Sequence, residues 1–193
     1  MNLDITYRAA KGNASRMIKQ ANNQQLQDTQ FAETVRLHSS IKAPKVERDK
    51  LKVESGIHTV RNGDTPFGSG YKSGDQLNAV SYTVPLSGDK SLLEAVTPVD
   101  GRNSWIDEAN NLRFRYLTDK SITGNETLVK ELKDTAEGYI TKVEQAYETV
   151  KSEIESFNTD TLKNYVLETL LAESGRRETE SSTLKNLNPN TSN

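Results

Sequence analysis

Side chains able to do chemistry are sparse in this chain of 193 residues, and their spacing argues against catalysis. There is no cysteine, which excludes disulfides, thiolate metal sites and thiol nucleophiles. The two histidines, His38 and His58, stand far apart, and neither has a nucleophile beside it in sequence. The nearest approach to a phosphate loop is GDTPFGSG. Gly63 and Gly68 have the glycine spacing of G-x-x-x-x-G-K-[ST], but Ser69 stands in place of the lysine and Gly70 in place of the hydroxyl residue. Pro66 also removes a backbone N–H that a phosphate cradle would use. Asp64, Asp75 and Asp89 each follow a glycine, as turn residues do. Glu131, Asp134, Glu137, Glu144 and Glu148 are interleaved with lysines, the pattern of a solvated helix face. These residues give no catalytic constellation, no cofactor site and no metal site.

The elements that would position any site divide into four stretches. Residues 1–43 are polar and helix-prone, with Ala10, Ala14, Met17, Ile18 and Ala21 at helical spacing and Phe31 and Val35 further on. Six basic residues against three acidic ones give this arm a small positive excess. A solvated helix face explains it more simply than a nucleic-acid contact. Residues 45–118 read as β-rich. Leu51, Val53, Ile57 and Val60 mark one strand, Leu77, Val80, Tyr82 and Val84 a second, and Leu112, Phe114 and Tyr116 a third. In that last strand alternation places Phe114 and Tyr116 on one face and Arg113 and Arg115 on the other. Pro85 marks an edge strand or a strand end, and Trp105 falls in a predicted loop. The glycine-rich loop between the first two strands offers Phe67 and Tyr71 as contact residues.

Residues 125–175 read as a helical hairpin. Asn125, or Thr123 in a capping box with Glu126, starts it. Leu132, Ala136, Tyr139, Val143, Tyr147, Val150, Ile154 and Phe157 then recur in steps of three and four, a stripe down one face of a long helix. A helix of that length spans roughly 45 Å at about 1.5 Å per residue, long enough for a coiled-coil seam. The sequence Phe157-Asn158-Thr159-Asp160 predicts a corner with Asn158 or Thr159 as the next N-cap, and Gly175 a C-cap. Residues 179–193 read as a flexible tail.

Two separated pieces, VPLSGDKSLLEAVTPVDG (Val84 to Gly101) and the helical segment from Tyr139 to Glu178, carry a resemblance. Together and in this order they resemble an accessory module of uncharacterised bacterial defence-island proteins, often joined there to a nuclease-like or Toll/interleukin-receptor-like effector. The resemblance spans Ser55 to Glu178, with Gly88, Asp89, Phe157 and Asn158 the best-matching positions. No effector domain follows in this sequence, so the resemblance implies an effector on a separate chain.

Composition agrees with a protein ordered partly by partners. Only 33% of residues are hydrophobic, and the mean hydropathy is -0.74. A globular domain usually approaches 45–50% apolar residues when glycine is included, at about the average usage. The net charge of -2 gives no indication of nucleic acid, and no segment is long and apolar enough for a membrane. The expected fold is α+β and mostly helical: a small antiparallel β-layer packed with the C-terminal hairpin, behind a helix-prone arm. Residues 44–178 form its core. The expected function is a non-enzymatic interaction or scaffolding module, cytoplasmic, working as a homo-oligomer or with a separate effector or structural protein. Antiviral defence as an accessory subunit is one setting; a structural subunit of a phage particle is the alternative. The eight-residue stripe from Leu132 to Phe157 is the expected interface.

Overall fold

The computed structural model describes residues 3–61 and 71–187. The fold class is the expected one, mostly helical α+β with a small antiparallel sheet. The described residues form two compact units, one of residues 43–151 and one of residues 3–42 with 152–187.

The first unit is built around β3 (Gln76–Ser87). Along one side it pairs with β5 (Asn111–Thr118), and β4 (Ser104–Ile106) pairs with β5 in turn. Along its other side it pairs first with β2 (Lys52–Thr59) and then with the short β1 (Lys45–Val46), all antiparallel. Directly opposed residues of an antiparallel pair share a face. The pairs Val80↔Tyr116, Tyr82↔Phe114 and Val84↔Leu112 therefore make one apolar face. The helix α5 (Glu126–Ser156) covers it with Ala136, Ile140, Val143 and Tyr147. Tyr82 stacks on Phe114 with centroids 4.9 Å apart, and Tyr139 meets Phe114 edge-on at 4.9 Å. The hydroxyls escape burial unpaired: Tyr139 donates to the Pro98 carbonyl at 2.8 Å, and the Tyr147 hydroxyl lies 2.7 Å from Thr97 Oγ1. On the opposite face Leu77, Ala79 and Leu117 join Val60 and Tyr71 in a smaller cluster. Arg113 and Arg115 share that opposite face, as alternation required.

After β3 the chain turns at Gly88 into α4 (Lys90–Val96), a helix not among the expected elements. Gly88 sits at φ +124°, and a Cβ there would lie 2.8 Å from Pro44 Cα and 2.9 Å from the Ala43 carbonyl oxygen. Trp105, expected in a loop, lies on β4 opposite Arg113. Pro85 lies in the central strand, not an edge, and falls two residues before its end, where its carbonyl accepts from Glu47 N–H at 2.9 Å. Asn125 caps α5 by accepting from the Leu128 N–H at 3.1 Å.

The second unit packs α1 (Asp4–Gln20) and α3 (Phe31–Ser39), joined through the short α2 (Asn23–Gln27), against α6 (Leu162–Leu187). Residues 1–43 are thus no separate arm: Ala10, Ala14, Ile18 and Val35 are buried with Leu162 and Val166. Polar contacts complete the packing. Arg177 donates to the Lys19 and Ala21 carbonyls, the open C-terminal end of α1, at 3.1 and 2.8 Å. Glu173 receives both Arg176 and Arg177, at 2.8 Å each, and these guanidinium hydrogen bonds hold its pKa at about 2. Tyr7 stacks on Phe157 at 4.2 Å and donates its hydroxyl to Glu153 at 3.0 Å.

Several expectations are corrected here. No corner follows Phe157: the backbone stays helical through a π segment, Phe157–Thr161, in which Leu162 N–H reaches back to the Phe157 carbonyl. Such a segment accommodates one extra residue in a helix. Asn158 is not a cap because its amide is engaged elsewhere, accepting from Ile41 N–H at 3.0 Å and donating to Ile41 C=O at 2.9 Å. Thr159 bonds back to the Glu155 carbonyl at 2.9 Å and so stays in the helix. The hairpin is therefore absent, Gly175 lies inside a helix, and residues 179–187 of the expected tail are its last turns. The expected interface stripe is instead internal packing: Ala136, Val143, Tyr147, Val150, Ile154 and Phe157 are buried, and Leu132 and Tyr139 are half-buried against the core.

Two substitutions test this account. Gly88→Ala should cost about 1–3 kcal/mol from backbone strain and contact with Pro44, measured by urea unfolding. An unchanged midpoint would show that the turn relaxes freely. Asn158→Ala should cost about 1–3 kcal/mol, because Ile41 is buried and loses partners for both of its backbone groups. Hydrogen exchange at the Ile41 amide should rise in the same variant, and unaltered exchange there would rule out the two-way clamp.

Candidate protein-interaction site

Strand β2 is the anomaly of the first unit. Every residue from Lys52 to Thr59 is exposed except His58, which is half-buried. Val53 is 54% exposed and Ile57 66%. One side of β2 is paired with β3; the other is paired with no strand among the described residues.

Which backbone groups point outward follows from hydrogen bonds at the two ends of β3. Val60 N–H donates to the Asp75 carbonyl at 2.8 Å, one step beyond the pair Thr59↔Gln76. Partners in an antiparallel strand alternate sides. His58, Gly56, Glu54 and Lys52 accordingly bond toward β3, and Thr59, Ile57, Ser55 and Val53 present their N–H and C=O groups to the free edge. The other side of β3 agrees. Leu86 N–H donates to Asn110 C=O at 3.0 Å, so even-numbered residues of β3 serve β5 and odd-numbered ones serve β2.

Beside this edge lies a cleft of about 390 Å³. Its sheet side carries Leu51, Val53, Val80 and Tyr82; its helix side carries Val129, Leu132, Ala136 and Ile140 from α5, with Ile122 just before that helix. Lys133 and Glu137 are the charged residues on its wall. Val53 and Ser55 point to this side because they stand opposite Tyr82 and Val80. Burial raises the pKa of Tyr82 above its ordinary value, as expected for a phenol set in an apolar wall.

Arg48 ties the entry of β2 to α5. It lies in the 3-10 turn Arg48–Lys50 that leads into β2. Its guanidinium binds Glu144 through two bonds of 2.5 and 2.7 Å, Thr141 at 3.0 Å, and Glu137. Bonds to Glu144 and then Glu137 raise its pKa further. The fork geometry of arginine suits this grip on one helix face. Glu137 and Glu144 are thus not the purely solvated carboxylates their interleaving with lysines predicts.

The opposite face of the sheet carries Trp105, Arg113, Arg115 and His58. The Arg115 guanidinium sits 5.9 Å from the Trp105 ring centroid, and its Nη1 lies 3.3 Å from His58 Nδ1. Asp107 accepts from Arg113 Nε at 2.6 Å and from Ala109 and Asn111 N–H at 3.0 and 2.8 Å, which ties the β4–β5 turn together. Among the described residues no group of three or more His, Asp and Glu is placed to hold a metal ion, and no helix is long and apolar enough to cross a membrane.

Of the contact-loop residues, Phe67 lies outside the described residues. Tyr71 is half-buried against Val60, Leu77, Ala79 and Leu117. Arg48, Val53, Ile57 and Val129 were not among the expected site residues. The alternation of Leu51, Val53 and Ile57 was visible, but a buried strand and a free edge share that signal. No protein-family model, no curated protein and no solved structure matches this chain.

The turn beside Trp105 yields a pH test. Burial pushes the Asp107 carboxyl up, but the Arg113 and Asn111 hydrogen bonds outweigh it and bring the pKa down to about 2. A depressed carboxyl stabilises the fold above its unfolded pKa of about 4, and that contribution is lost as pH falls toward about 2. Asp107→Asn should therefore cost roughly 1–2 kcal/mol at neutral pH, with the gap to the parent closing by about pH 2. Urea midpoints at both pH values measure it. A gap of equal size at each would exclude Asp107 as the titrating group.

Proposed function

We propose that this chain is a non-enzymatic interaction module that assembles with itself or with a partner protein through the free edge of β2. The observation that carries this reading is the coincidence, on one strand, of outward backbone groups, exposed apolar side chains and an adjacent apolar cleft. An edge of this kind is what proteins ordinarily cover, shorten or charge, because it templates pairing with another chain. The ligand it suits is an extended polypeptide. Main-chain hydrogen bonds to Val53, Ser55, Ile57 and Thr59 would hold it, and apolar side chains at every second position would enter the cleft. The low apolar content of the chain supports a subunit whose surface is completed by association.

Selection from a library of displayed extended peptides tests this. Enriched sequences should alternate apolar and polar residues, and their binding should fall at least about tenfold on Ile57→Lys, since a charge enters an apolar contact. Ile57 is exposed within the single chain, so the variant should still fold, with the circular-dichroism spectrum of the parent. No enrichment, or enriched peptides indifferent to Ile57→Lys, would overturn the reading.

A further inference from the structure

The pattern of β2 itself identifies the added strand. Resting on the edge-docking reading above, we infer that the occupant is β2 of a second copy, paired antiparallel across a two-fold axis at Ser55. A two-fold perpendicular to the sheet keeps the cleft side of one copy continuous with the cleft side of the other. The outward-bonding residues Val53, Ser55, Ile57 and Thr59 must then meet one another, because directly opposed antiparallel residues share a face. With the axis at Ser55, Val53 stands opposite Ile57 of the second copy, and Ile57 opposite its Val53. These are the two apolar side chains that β2 exposes. β-Branched pairs of this kind favour cross-strand contact.

Neighbouring symmetric registers lose the match. An axis at Glu54 sets Val53 against Ser55 and brings each Glu54 against its own counterpart. An axis at Gly56 sets Val53 against Thr59 and Ile57 against Ser55. Of these three registers only the one about Ser55 sets both exposed apolar residues against apolar partners, as an isologous interface requires of a self-complementary patch. The pairing would join the two sheets into one, using up both free edges at once.

Sedimentation equilibrium of the full chain tests the inference. The chain should dimerise, and Val53→Glu or Ile57→Lys alone should weaken the dimer by about tenfold or more. The double variant, Val53→Glu with Ile57→Lys, should recover to within about threefold of the parent, because in this register opposite charges face each other across both pairs. Ser55→Cys, in a chain otherwise free of cysteine, should give a disulfide-linked dimer on mild oxidation. A chain that is monomeric throughout, a dimer indifferent to the single changes, or a double variant without recovery would each overturn the inference. A monomer that still captures alternating peptides, and loses them on Ile57→Lys, removes the second copy and leaves edge docking standing. Loss of both removes both.

Discussion

Strand β3 is under a constraint that most of the first unit answers. It is twelve residues long, bonded on both sides, and apolar on one face at its start and on the other thereafter. Leu77 and Ala79 face one way; Val80, Tyr82, Val84 and Leu86 face the other. Such a strand needs two covers and partners along both edges. β5 supplies one edge for most of its length, and α5 supplies the larger cover. The other edge is shared by β1 and β2, separated by the 3-10 turn, and among the described residues no strand lies beyond β2. The exposed strand is thus a residue of the geometry: the side of β3 that had to be bonded was bonded, and the bonding strand became the rim.

The chain manages with few apolar residues by letting charged side chains do structural work. Arg48 grips α5 through three side chains, and Arg177 closes the end of α1 while being held by Glu173. Both are partly exposed, where isolated ion pairs contribute little. Arg177 also serves the Lys19 and Ala21 carbonyls, at the end of α1 where helix carbonyls have no intrahelical donor. Asn158 follows the same logic, replacing a backbone partner for Ile41 with a side-chain amide.

Much of this was legible in the residues. The strands around Val53, Tyr82 and Phe114 were visible as alternation, and α5 as steps of three and four. Local periodicity reports that a face is apolar without reporting what covers it. The stripe from Leu132 to Phe157 consequently read as a seam between molecules, when Leu132 to Tyr147 pack on the chain's own sheet and Phe157 stacks on Tyr7. Phe157-Asn158-Thr159-Asp160 misled for a related reason. Asparagine and threonine favour caps because they offer local hydrogen bonds, and here Ile41, distant in sequence, claimed the asparagine. The short β1 and β4 have too few residues to show any period. Arg48 carried no signal at all, since its meaning depends on Glu137 and Glu144 being brought opposite it.

The second unit draws α1 and α3 from the beginning of the sequence and α6 from near its end. During synthesis, Ala10, Ala14, Ile18 and Val35 therefore emerge with only α1 and α3 to pack on each other until α6 follows. Closing so long a loop costs little more free energy than closing a shorter one, because the entropic penalty grows only logarithmically with length. It costs time, since distant contacts slow the search. The sheet of the first unit can assemble in that interval, so on the ribosome the middle of the sequence should be the first part to become native.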